Sequence, residues 1–164
     1  MHSDSWVEVP FQQCPPHVQE NTRVIGRMDA FLAAAEANKD ALETYVEALF
    51  RGESSVKPKP VFIPPINDPG MEYMMERNVS DAAHIAQLML GADVLAIIYL
   101  LDEWQTTLRR KTEYLVYNRK ALEKRYRKGA DQKEIDRVKK LITDGEEEIA
   151  FLQPRIAWAR SKVL

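Results

Sequence analysis

Apolar residues recur every seven positions down two stretches in the C-terminal half of the chain. Val94, Leu101, Leu108, Leu115 and Leu122 make the first series. Ile135, Ile142, Ile149, Ile156 and Val163 make the second, with Val138, Leu152 and Ala159 at its companion positions. A seven-residue repeat held this long is the pattern of helices packing knobs into holes. Pairing Leu122 with Ile135, Leu115 with Ile142, Leu108 with Ile149, Leu101 with Ile156 and Val94 with Val163 keeps one constant total of residue numbers. That is the arithmetic of an antiparallel hairpin turning near Lys128 and Gly129. Gly129 suits a left-handed helix stop, and Asp131 with Glu134 three residues on suits the next start. Gly145 falls on the seam near Leu115 and predicts a close approach there. Pro154 predicts a kink without a break, because Ile156, Ala159 and Val163 stay in phase.

A third heptad stripe precedes these, with Val18, Ile25, Leu32 and Val46 on one position and Met28, Ala35, Leu42 and Leu49 on the other. It predicts a long helix over 16–51, opened at Pro16 or His17 and stopped by Gly52. Phe31, Tyr45 and Phe50 widen its apolar face. Residues 52–79 carry Pro58, Pro60, Pro64, Pro65 and Pro69, which favour a stiff extended strap followed by one or two helical turns from Met71. Val61, Phe62, Ile63 and Ile66 make this strap too apolar for a water-exposed spacer. It either packs across the helices or serves as a proline-rich ligand. Residues 1–15 are read as an extended arm bearing Trp6, Phe11 and two valines, or as a disordered terminus.

The central helix is expected to run from about Asp81, capped by Ser80 and Asp81, to Arg127. Its partner in the hairpin, about Gln132 to Lys162, reaches back only to Val94. Residues 82–93 therefore overhang and need cover from the first long helix or from a second copy. The fold class that results is all-α. A long antiparallel, coiled-coil-like hairpin (80–164) packs at its base on a third long helix, with the Pro-rich arm and strap, as a single domain overall.

Composition narrows function more than it names it. The 164 residues carry a net charge of -2 and one cysteine, Cys14, so neither an internal disulfide nor a thiolate cluster is available. The first residues lack a basic, apolar signal sequence, pointing to a cytoplasmic or intracellular setting, including the inside of a virus particle. The apolar run Ile85–Leu101 is short for a bilayer span and contains Gln87 and Asp93, so no membrane span is expected. Asp93 needs a polar partner, a route to solvent or a raised pKa. Asp81 and His84 share a helix face, but the second pair that a di-iron bundle requires is missing. No nucleophile elbow or phosphate loop is present. An enzyme is not expected, and no catalytic, metal or cofactor residue is assigned.

Charge is uneven, however. Lys111 to Lys140 holds eleven Lys or Arg against five Asp or Glu, with Tyr114, Tyr117 and Tyr126 among them. Such a tip can be a solvated arm neutralised in part by Glu146, Glu147 and Glu148, a dock for an acidic protein, or a nucleic-acid grip. The expected role is a non-enzymatic structural or adaptor subunit of a larger assembly, such as a virion or cellular scaffold, with protein partners or self-association. The alternative is nucleic-acid binding through the tip. Candidate partner contacts are Ile85, Leu88, Met89 and Leu90 on the overhang, and Lys120, Lys124, Arg125, Arg127 and Lys128 at the tip. Trp6, Phe11 and Phe62 complete the set on the extended segments.

Overall fold

The structure, a computed structural model, describes residues 8–164. Among these there are five α-helices, one 3-10 turn (Phe11–Gln13) and no strand, so the chain is all-α. The helices are α1 (Pro16–Phe50), α2 (Pro69–Met74), α3 (Glu76–Leu90), α4 (Asp93–Lys128) and α5 (Gln132–Val163). They form two compact units, one of residues 1–41 and 58–90, the other of residues 42–57 and 91–164.

The second unit holds the hairpin. Helices α4 and α5, about 54 and 48 Å long at 1.5 Å per residue, pack along their lengths. Gly129 ends α4 with a φ of 65°, and the Ala130 amide returns to the Arg125 carbonyl at 3.0 Å. Asp131 then caps α5, its Oδ1 accepting from the Glu134 amide at 2.8 Å. Helix α5 passes Pro154 unbroken. Its inward positions are Ile135, Val138, Leu152, Ile156 and Ala159, all buried, in the expected phase.

Gly145 lies on the seam beside Leu115, where the sequence placed it. Leu115 meets Gly145, with Leu115 Cδ1 3.8 Å from where a Gly145 Cβ would stand. The ion pairs Arg119–Glu146 (3.3 Å) and Lys111–Glu148 (2.6 Å) tie the two helices together on either side of this contact. The distance at Gly145 is an ordinary contact, so the seam does not demand glycine there. At the base, the last turns of α1 join the hairpin. Arg155, on α5, binds Glu47 with two parallel hydrogen bonds from one guanidinium edge, Nε to Oε2 at 2.8 Å and Nη2 to Oε1. Phe50 meets Trp158 edge to face at 5.7 Å.

A single central helix from Asp81 to Arg127 does not form. It is interrupted at Gly91 and Ala92, where Ala92 is extended (φ -70°, ψ 149°). Asp93 becomes the first residue of α4, an acid placed at the positive helix end. Its carboxylate accepts from the Tyr45 hydroxyl at 3.1 Å and pairs with Lys57 Nζ at 3.4 Å. Lys57 also donates to the Gly91 carbonyl, covering one of the groups that the break leaves open. Burial first, then the Asp93 carboxylate, raises the Tyr45 pKa. Nor does α3 begin at the Ser80–Asp81 signal. It begins at Glu76, and the capped start upstream belongs to α2, where Asp68 Oδ1 accepts from the Met71 amide at 2.9 Å and Pro69 takes the first helical position. α3 follows α2 after Met75 alone.

In the first unit, Phe31, Ile66, Met75 and Ala82 form the core, with Met28, Ala35, Ile63 and Met71 packed on it. Asn38, buried on α1, holds the strap by both backbone groups of Val61. The Val61 amide donates to Oδ1 at 2.8 Å, and Nδ2 donates to the Val61 carbonyl at 3.3 Å.

Candidate partner-binding surfaces

Unit one carries a cavity of about 490 Å³ beneath the strap. Phe31, Ile63, Ile66 and Val79 supply apolar walls, and Glu72 and Glu76 stand on its lining. These carboxylates have no ion pair among the described residues. Phe62, Tyr73 and Met74, on the strap and on α2, are more than four-fifths exposed. An isolated exposed apolar residue is ordinary, whereas several in one short stretch mark a surface made to be covered.

The hairpin tip is the second surface. Tyr117, Lys120, Lys124, Arg125 and Lys128 line a groove of about 470 Å³ together with Glu134. The cations there are not equivalent. Arg125 is taken by Glu134 at 3.0 Å and donates to the Ala121 carbonyl at 3.3 Å. Arg127 lies 4.0 Å from Glu123. Lys120, Lys124 and Lys128, successive turns of one α4 face, have no such partner among the described residues. Tyr114 and Tyr117 stack on each other at 6.2 Å, leaving each ring one open face.

The structure separates the contacts expected from sequence. Ile85, Leu88 and Met89 are buried, so they are core and not free partner contacts; the chain itself covers the expected overhang. Leu90 alone remains on the surface, at 74% exposure. Phe62 faces outward on the strap. Phe11 is not on an extended arm: it sits in the 3-10 turn, with the Arg23 guanidinium 5.3 Å above its ring. Gln19 on α1 fastens that turn by donating to the Cys14 carbonyl at 2.9 Å. Trp6 lies outside the described residues.

Sequence reasoning did not single out Glu72, Glu76, Tyr73 or Met74. The available signal was the cluster of large apolar residues beside acids in Met71–Glu76, directly after the proline strap. No group of His, Cys, Asp and Glu among the described residues is placed to hold a metal, and no helix among them is long and apolar enough to cross a membrane. No family model, curated protein or solved structure matches the chain.

Proposed function

We propose that the chain is a non-enzymatic structural or adaptor subunit of a larger protein assembly, of the kind that builds a virus particle or a cellular scaffold. The observation that carries this reading is the exposed apolar surface of the strap and α2, Phe62, Tyr73 and Met74, beside an apolar cavity. Burying each such side chain is worth roughly 1.5–3 kcal/mol, enough in combination to hold a partner. The two-helix arm supports the same reading, because it spends most of its length on reach and little on enclosing a site. Nucleic-acid binding by the tip is the weaker reading, since Arg125 and Arg127 already have carboxylate partners and the stacked tyrosines cover one face of each other.

The test replaces Phe62, Tyr73 and Met74 together by Asp. These exposed positions should tolerate the change, so helical circular dichroism is retained while the chain is released from its native complex. Retention of the intact complex by the triple variant overturns the reading.

A further inference from the structure

We infer that the acidic apolar cavity of the first unit receives the basic hairpin tip of a second copy of this chain. The inference rests on the assembly reading above and names the partner for the strap surface.

Charge is the first argument. The residues of the first unit hold five Lys or Arg against ten Asp or Glu, while the segment around the hairpin turn is strongly basic. Glu72 and Glu76 line the cavity and lack ion pairs among the described residues. Lys120 and Lys124 line the tip groove and likewise lack them. Two unpaired carboxylates, one on α2 and one at the start of α3, thus face the charge of two unpaired ammonium groups one turn apart on α4.

Shape is the second argument. Carboxylates alone would attract any cation, but these flank walls made by Phe31, Ile63, Ile66 and Val79. The occupant must therefore bring an apolar body together with its positive charge. Tyr117, one turn before Lys120 and Ala121, is 66% exposed and offers that body. An aromatic ring seated in an apolar pocket and ringed by ion pairs is the usual anatomy of a strong contact. Such a contact joins unlike surfaces, so it is heterologous. Each copy keeps one free cavity and one free tip, and association propagates into a ring or an open chain.

The experiment uses full-length protein in analytical ultracentrifugation at low salt. Wild type should form a series of species growing with concentration, dispersed by high salt, which screens exposed charge. Glu72→Lys with Glu76→Lys spoils the cavity, and Lys120→Glu with Lys124→Glu spoils the tip. Each variant alone should associate about tenfold or more weakly than wild type, since like charges then meet. Mixed together, the two variants should co-assemble in alternation, because the intact tip of one meets the intact cavity of the other and the two reversed surfaces carry opposite charges as well. The four substitutions in one chain should restore propagation. Circular dichroism confirms that each variant is folded. Association that ignores both charge reversals, or a mixture that associates no better than either variant alone, overturns the inference. Wild type that stays monomeric overturns it too. Release of the native complex by the Asp triple variant would still stand in those cases, so the assembly reading fails separately.

Discussion

The Arg155–Glu47 pair joins α5 to the end of α1, and its two halves should not be equally important. Arg155 is the deeper partner, with its side chain 9% exposed against 23% for Glu47. Among the described residues it has no second acid, and its other contacts are the Phe151 carbonyl at 2.8 Å and the rings of Phe50 and Phe151, 4.7 and 3.4 Å from its guanidinium carbon. Glu47, in contrast, also pairs with Arg51 at 3.2 Å. Glu47→Met therefore strands a buried cation, a change of the class that costs about 3–5 kcal/mol. Arg155→Met leaves a carboxylate that still reaches water and Arg51, and should cost roughly 1–2 kcal/mol. The double Met variant should recover most of the loss, because an apolar pair of similar volume often replaces a buried ion pair without penalty. Urea unfolding followed by circular dichroism measures all three. At this chain length each kcal/mol also moves the melting temperature by about 2–4 °C.

The pair has a pH signature as well. Hydrogen bonding to Arg155 is the main cause that lowers the Glu47 pKa from its ordinary 4.5, with burial opposing it. A depressed carboxylate contributes stability that is present above the unfolded value and lost as pH falls through the folded one. Wild type should lose this increment in acid, and Arg155→Met should lose less of it. If Arg155→Met costs as much as Glu47→Met, or if neither exceeds about 1 kcal/mol, the reasoning from relative burial is wrong.

Three further outcomes are expected. Asn38→Ala removes both bonds to Val61 and should cost about 2–3 kcal/mol, with faster trypsin cleavage at Lys57 and Lys59; an unchanged cleavage rate would show that the strap is held elsewhere. Asn118, 3% exposed in the hairpin seam, has a side-chain Nδ2 without a partner among the described residues, so Asn118→Leu should raise the melting temperature by removing a desolvated donor worth about 1–3 kcal/mol. Gly145→Ala should stabilise the hairpin by about 0.5–1 kcal/mol through helix propensity, since its Cβ would make only an ordinary contact with Leu115; destabilisation would mean that the helices approach more closely than that.

Much of the fold could be read because packing imposes a period on sequence. The Leu122 and Ile135 series, the stop at Gly129 and the cap at Asp131 are local or periodic signals, and the hairpin follows from them. The meeting of Leu115 with Gly145 follows as well, because both positions lie on the seam. The break at Gly91 was hidden inside an apolar run. What closes it is Lys57, which is far away in sequence and reaches both Gly91 and Asp93. The width of the apolar stripe around Ile85, Leu88 and Met89 correctly marked residues that must be covered, but could not say that the chain itself covers them. At the tip, composition counted positive charges. It took side-chain positions to show that Arg125 is paired and that Lys120 and Lys124 are not.

The assembly reading is tested most directly by sedimenting an extract of the native source, without overexpression, and locating this chain by quantitative mass spectrometry. The account predicts that the chain travels mainly in particles several times heavier than its own 18.9 kDa. A chain found mainly at the mass of a free monomer, at native abundance and in low salt, would contradict it.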